Sequence, residues 1–385
     1  MTKGRPRILV AIGSLDVGGA EGQIVELVRG LAGRFEFHIA LASAGGPLEA
    51  PARSAGATIH ILRVPGFGAG TGPASRVIRA LRMRGRLRTL LRELAPSLIH
   101  SWLFEASFVA AAARWPGRKP PLIVSRRSLV EWVTRNRLYF LVARWTNGQA
   151  DLMLANSEAV RRDVMRKEGV KAERVELIYN GVDTSVYTPG PPDEDLRREL
   201  GLPPGVPVVG MVANLHTYKG HVQIVEVAAT MRAEGRSCAL LFVGRDADAA
   251  AAVRRAVAHA RLENVVFAGT RPDVSEMLRL MDVFVSASHE EGFSNSILEA
   301  MASGRAIVAT SVGGTPEQIE DGVTGFVVPP RDPVALSAAV GRLLGDSALR
   351  RRFGEAARKK AVERFGRERL FEEMAALYTA WTARS

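Results

Sequence analysis

The chain has a single cysteine, Cys238, so no intramolecular disulfide can form and no thiolate cluster can hold a metal. That poverty fits a reducing compartment, and a cytoplasmic location is expected. No run approaches the ~20 consecutive apolar residues that a membrane-spanning helix needs, so no span is expected. The basic start MTKGRPRILVAIGSL leads into a Gly-rich turn rather than a small-residue cleavage site, and RILVAIG reads as a first core strand. Aromatic residues are only 6% of the chain and are not interleaved with the basic ones, which argues against a nucleic-acid partner. A long polar tract of the kind that stays disordered is also missing.

What is present is enough apolar residue, 47% of 385, to bury the cores of two domains. The formal net charge is +12, and its distribution is uneven. Residues 1–188 hold 28 Lys and Arg against 15 Asp and Glu, whereas the remainder holds 24 against 25. An excess confined to one half points to an anionic partner, whether a membrane surface, a phosphorylated acceptor or nucleic acid, the last disfavoured by the sparse aromatics. Its densest part is 74–94, ASRVIRALRMRGRLRTLLREL, with seven arginines and one acid, Glu93. There Val77, Ile78, Leu81, Leu87, Leu90, Leu91 and Leu94 form an apolar stripe. The stripe is read either as a surface that docks on anionic membrane or as a face packed on a sheet, with Gly85 weakening the helix.

Short runs rich in Val, Ile and Leu alternate with segments of helical period: ILVAIG, FHIALAS, TIHILRV, SLIHSW, PLIVSRR, DLMLANS and VELIYNG. The series is interrupted by TPGPPDEDLRRELGLPPGVP, which reads as an interdomain connection, and resumes with VVGMVAN, CALLFVG, NVVFAG, VFVSAS, AIVAT and GFVVP. Apolar strands joined by helical crossovers imply parallel sheets covered on both faces. The expected class is α/β, with two doubly wound domains facing each other across a cleft. The first would span 1–188, a linker 189–206 and the second 207–365.

In such sheets ligands bind beyond the carboxyl ends of the strands, so the loops there are where chemistry is sought. The first, SLDVGGAEGQ, has Gly18 and Gly19 at a helix start, where backbone can approach an anion. In VANLHTYKGH, Asn214 and Lys219 stand in the corresponding loop of the second series. His100 and the pair Arg126 and Arg127 end two strands of the first. FVGRDADAA places Asp246 and Asp248 after a strand; a metal-binding D-x-D is one reading, but caps for the Ala-rich helix that follows are the preferred one. In HEEGFSNSILEAMASG, Glu291 precedes a helix and Glu299 lies in its first turns, so both can face one mouth.

From 281 to 329 the chain resembles the retaining nucleotide-sugar glycosyltransferases of family 4, with an E-x7-E pattern at Glu291 and Glu299. The resemblance extends through GGAE (Gly18 to Glu21), NGVD (Asn180 to Asp183), KGH (Lys219 to His221) and GG-x-x-E (Gly313 to Glu317). It implies the GT-B fold, two Rossmann-like domains with a last helix, 366–385, crossing back to the first. It also implies a hexosyltransferase that moves sugar from an NDP-sugar to a hydroxyl acceptor with retention, the acceptor being a lipid-linked or polysaccharide precursor. Glu291 would bind hydroxyls of the transferred sugar and Glu299 the ribose. Lys219 would bind the diphosphate, and backbone from Phe293 through Ser294 and Asn295 to Ser296 would approach the phosphates. No cofactor or metal is implied. From the arginine-rich stretch 74–94, a peripheral position on the inner face of the cell membrane is expected.

Two departures stand out. An arginine common before the lysine is missing, with Asn214 and His216 in its neighbourhood, and Arg127 stands where members often have a histidine facing the reacting sugar. His100, Arg127 and Glu291 are therefore the candidate catalytic groups. Other readings of the same architecture are an NDP-sugar epimerase and a non-catalytic sugar-nucleotide binding protein.

Overall fold

Strands that are buried along nearly their whole length require a helix layer on each face of the sheet. In the computed structural model, which describes residues 4–62, 73–117, 119–129 and 137–384 (backbone alone for 73–81), the apolar runs form two such sheets, all parallel. The chain divides into two compact units, one of Met1–Asn180 with Glu368–Ser385 and one of Gly181–Arg367.

The first unit runs β1 (Arg7–Ile12), α1 (Gly19–Leu31), β2 (Glu36–Leu41), α2 (Glu49–Ser54), β3 (Thr58–Ile61), α3 (Pro73–Leu94), β4 (Leu98–Trp102), α4 (Phe104–Arg114), β5 (Leu122–Arg126), α5 (Arg137–Gln149), β6 (Leu152–Ala155), α6 (Glu158–Glu168) and β7 (Val175–Leu177). Its strand order, β3-β2-β1-β4-β5-β6-β7, reverses direction between β1 and β4. Period-two alternation sends Ile8, Val10 and Ile12 of β1 into one core with Ile24, Val28 and Phe37. Leu9 and Ala11 face the other core, with Ile99, Val109 and Val124. The second core also takes Met83 and Leu87 of α3, with Leu90, Leu91 and Leu94 packed against it. The described part of the arginine-rich stripe is thus a core face, and the membrane-docking reading of 74–94 does not fit it. Val77, Ile78 and Leu81 lie outside the described side chains.

The second unit runs α7 (Glu194–Glu199), β8 (Val208–Val212), α8 (His221–Ala233), β9 (Ala239–Val243), α9 (Ala250–His259), β10 (Val265–Gly269), α10 (Val274–Arg279), β11 (Val283–Ser286), α11 (Asn295–Ala302), β12 (Ala306–Thr310), α12 (Thr315–Gln318), β13 (Phe326–Val328), α13 (Pro333–Gly345) and α14 (Ser347–Phe365). The order β10-β9-β8-β11-β12-β13 reverses between β8 and β11.

The stretch 189–206, expected as a linker, is folded into this second unit. Asp193 caps α7 by accepting from the amides of Asp195 and Leu196, and Arg197 donates to the carbonyls of Pro203 and Val206. The chain enters at NGVD and leaves beside it. The Val182 amide donates to the Phe365 carbonyl (2.8 Å) and the Arg367 amide to the Val182 carbonyl (3.0 Å), while Asp183 is ion-paired to Arg367. The last helix, α15 (Arg367–Thr382), lies with the first unit from Glu368 onward. Leu370, Met374 and Tyr378 enter the β1 core, and the Tyr378 ring meets Phe35 edge-on at 5.5 Å.

Candidate functional site

The reversal between β8 and β11 opens a crevice at the carboxyl ends of the second sheet, and the two loops that border it hold the KGH and E-x7-E segments. Gly220, which starts α8, has φ +76°, and a Cβ there would stand 2.1 Å from the Ala287 carbonyl oxygen. Only glycine lets the KGH loop come that close to the loop after β11. The approach brings Lys219 Nζ to 2.6 Å from Glu291 Oε2, with 18% and 15% of the two side chains exposed. Ser288 Oγ donates to the same carboxylate oxygen (3.3 Å). Burial pulls the Lys219 ammonium toward neutrality, but Glu291, with Tyr218, outweighs it and the net shift is upward, so Lys219 stays a cation near neutral pH.

GG-x-x-E closes the loop from its other side. Gly313 has φ +50°, and a Cβ on it would overlap the Glu291 carbonyl oxygen at 1.6 Å. The Gly314 amide donates to the Gly292 carbonyl (3.0 Å). Gln318 grips Ser294 twice, accepting from its amide (3.1 Å) and donating to its carbonyl (2.7 Å). Ser294 Oγ caps α11 through the Ile297 amide and touches the Ser296 hydroxyl at 3.1 Å. Ser294 is therefore a scaffold residue whose amide is already engaged, not the phosphate contact expected. Phe293, 4% exposed, packs edge-on against Phe365. One turn into α11, half-buried Glu299 has its pKa pushed by burial to about 7, with the Tyr187 hydroxyl hydrogen-bonded to it and acting in the opposite sense.

The loop after β9 buttresses the KGH loop. Asn214 Oδ1 accepts from the Arg245 amide (3.2 Å), so this expected donor contact instead ties two loops together. Asp248 accepts from the Thr217 amide and hydroxyl and pairs with His216 Nδ1; the Thr217 and His216 contacts hold its carboxyl well below the ordinary range. Asp246 is paired with Arg254. The two aspartates thus hold different partners, and neither caps α9, whose N-cap Ala249 has no side-chain bond. Among the described residues no group of three His, Cys, Asp or Glu is placed to hold a metal ion.

At the corresponding end of the first sheet, Gly18 caps α1 and Gly19 begins it. Arg127, just past β5, lies over the Trp102 ring at 4.8 Å and donates to Gln23 of α1. Burial brings its pKa down to about 9, with Glu21 opposing, so it remains a cation at neutral pH. Arg126 turns away, paired with buried Glu168 and Asn147. His100 is fully buried, and its Nδ1 and Nε2 are each 2.7 Å from a hydroxyl, Tyr378 and Ser125. Burial, aided by the Arg127 charge, lowers its pKa to about 3. A neutral imidazole with both nitrogens engaged has none left for a substrate, so His100 joins α15 to the sheet and leaves the candidate catalytic set.

The sequence motifs singled out Lys219, Glu291 and Glu299; Gln318, which holds the loop of Ser294, and Tyr187, which is bonded to Glu299, were not among them. Gln318 lay one residue beyond the GG-x-x-E signal and so was within reach. Tyr187 carried no signal.

Residues 17–186 match the model for Glycosyltransferase Family 4, and residues 192–360 match that for Glycosyl transferases group 1. The D-inositol 3-phosphate glycosyltransferase of Nocardia farcinica is 31% identical over 215 residues, 54% of this chain and 48% of its own length. The alpha-maltose-1-phosphate synthase of Mycobacterium tuberculosis is 32% identical over 243 residues, 60% and 63% of the two lengths. The chain thus spans between about half and two thirds of these curated relatives. In fold it is similar to Anabaena HepE in complex with UDP-glucose, with TM-score 0.85 and 24% identity over 97% of this chain and 99% of that one. Two family models met end to end and a shared fold lead to one assignment: the chain is a GT-B protein of the glycosyltransferase family 4 type.

Proposed function

We propose that this protein transfers a hexosyl unit from an NDP-sugar to a hydroxyl acceptor with retention of anomeric configuration, the acceptor being a lipid-linked or polysaccharide precursor at the inner face of the cell membrane. The observation that carries the reading is the meeting of Lys219 and Glu291 at the reversal point of the second sheet. There a buried cation suits a diphosphate and a carboxylate beside it suits sugar hydroxyls. Glu299 with Tyr187 would read the ribose. Arg127 is assigned the fixed positive charge that favours the departing diphosphate. In the reaction the acceptor oxygen bonds to the anomeric carbon as the bond from that carbon to the diphosphate oxygen breaks. The acceptor proton passes to the diphosphate on the same face. Cationic side chains and the start of α11 meet the charge of the leaving group, so the reading requires no metal.

The test is NDP release from a panel of nucleotide sugars with and without hydroxyl acceptors, with the product anomer assigned by NMR. Release that depends on the acceptor, together with an unchanged anomeric configuration, is expected. Interconversion of the sugar on its nucleotide would instead establish the epimerase reading, and binding without turnover under every condition the non-catalytic one. Arg127→Ala should lower kcat by about 100-fold or more if its charge acts on the leaving group, and turnover should survive a metal chelator.

A further inference from the structure

The amino ends of the second sheet border a cavity that the candidate site does not use. Asp282 stands directly before β11 and Arg305 directly before β12, at the end of the sheet away from the KGH crevice. α14 lies close over them because Gly354 has no side chain: a Cβ there would stand 2.1 Å from the Gly304 carbonyl oxygen. Beside this contact, wholly within Gly181–Arg367, is a cavity of about 600 Å³, a volume that suits a small metabolite. Arg350, Arg351, Arg358 and Lys359 line it from α14 and Arg305 from the sheet. Its acids are Asp282 and Glu355. Arg350 lies 3.9 Å from Asp282, but among the described residues Arg305, Arg351 and Arg358 have no carboxylate within ion-pair distance. Burial lowers the pKa of Arg305, opposed by Asp282, and that of Arg358, opposed by nothing. A guanidinium that gives up water without gaining a counter-charge favours an anion beside it.

Arg358 also reaches the candidate site. Its Nη1 donates to the carbonyls of Tyr187 (2.6 Å) and Ala302 (2.7 Å), and its Nη2 to that of Thr184 (2.9 Å). Ala302 ends α11, the helix of Glu299, and the Tyr187 hydroxyl is the group bonded to Glu299. Of the five guanidinium N–H groups, the one on Nε and one on Nη2 are left for a ligand.

We propose that this cavity binds a small phosphate monoester, its phosphate held by Arg351, Arg358 and Lys359 and its hydroxyls by Asp282 and Glu355, and that its occupation tightens the nucleotide subsite. A planar guanidinium matches two phosphate oxygens at once, and a carboxylate accepts from hydroxyls. Phosphate on Nε and Nη2 of Arg358 holds the guanidinium on its three carbonyls, and so holds Tyr187 against Glu299. The two ligands then raise each other's affinity by the same factor. The site stands on the cavity alone, whereas the coupling rests on the reading of Glu299 as the ribose contact. Sugar phosphates and nucleoside monophosphates share the required chemistry.

The test is calorimetric titration of glucose 6-phosphate and of AMP into the full chain, with and without saturating NDP (UDP, ADP or GDP, whichever binds), with sulfate at equal ionic strength as control. One site per chain is expected, about tenfold or more tighter for an ester than for sulfate, and the tighter ester identifies the source. Arg351→Gln with Lys359→Gln should weaken ester binding about tenfold or more. Both side chains are exposed, so the melting temperature and the NDP affinity without ester should match the parent. Bound ester should raise NDP affinity about fivefold, and Arg358→Lys, which keeps the charge but cannot span three carbonyls, should remove that rise. No binding of either ester, binding that NDP displaces, an affinity no better than that of sulfate, or a double variant that binds as well as its parent overturns the site. An NDP affinity that bound ester leaves unchanged overturns the coupling. A chain that binds ester but no NDP contradicts the proposed function and leaves the site standing.

Discussion

The two units share an architecture and differ in what they do with the point where strand order reverses. In the second, the loops after β8 and β11 are locked by glycines that nothing else could replace and hold an ion pair in the crevice. In the first, the corresponding glycine is under no such constraint. Gly18 has φ −156°, ordinary extended backbone, and a Cβ there would meet only the movable end of the Glu21 side chain. One sheet type supports an ion pair locked in place at the reversal point in one copy and, in the other, a rim where Arg127 lies over Trp102 and the helix-start glycine is unconstrained. The fold fixes where a site can be, and the loop residues decide whether one is built.

The sharpest way to break this comparison is one methyl group in each unit. Gly313→Ala places a Cβ against the Glu291 carbonyl at a positive φ, and should destabilise the second unit by about 3 kcal/mol and abolish NDP binding. Gly18→Ala should cost less than about 1 kcal/mol. Denaturant melts of both variants, with calorimetric titration of NDP, read the difference. Similar losses in the two would show that the rims are equally constrained.

The ion pair gives a finer cut. Lys219→Ala leaves Glu291 in the crevice without its cation and should weaken NDP binding by about 100-fold. Glu291→Gln releases Lys219 to a diphosphate, so NDP should bind as tightly as before or more so, while kcat falls by about 100-fold or more. Weaker NDP binding by Glu291→Gln would mean that the carboxylate touches the nucleotide. Glu299→Ala should behave in the opposite way, raising the donor KM and lowering NDP affinity with a smaller change in kcat.

The dependence on pH has opposite signs in the two units. His100 has a folded pKa near 3, below its ordinary 6.5, so the unfolded chain binds the extra proton between those values. That contribution is complete above pH 6.5 and is lost as pH falls toward 3. Glu299 has a folded pKa near 7, above its ordinary 4.5; its contribution is complete below 4.5 and is lost as pH rises through 7. Denaturant melts across pH 4 to 8 should lose a slope of one sign in His100→Asn and of the other in Glu299→Gln. Unchanged slopes in both would remove these groups as the source.

Most strands were legible because they are short apolar runs buried on both faces, and burial on both faces leaves a composition that needs no partner to be recognised. The loops of Lys219 and Glu291 were singled out because each follows a strand, while the roles expected of them came from the family resemblance. His100 was misread because its role depends on Tyr378, which arrives 278 positions later in the chain. The stretch 189–206 looked like a connection because proline, glycine and acid are also what a capped helix of six residues between two turns requires. Asp248 looked like a helix cap and is one for the Thr217–Lys219 turn instead, a pairing of adjacent strand ends that local sequence does not encode.

The return of α15 to the first unit has a bearing on the order of synthesis. Leu370, Met374 and Tyr378 complete a core begun by Ile8, Phe35 and Phe37, and all of Gly181–Arg367 must be made in between. At ~5–20 residues per second that interval is on the order of ten seconds or more. Throughout it the emerging first unit has an uncovered apolar groove and a His100 without its tyrosine, while the second unit is contiguous in sequence and can fold as soon as it clears the ribosome. The unit that begins first is the one that finishes last.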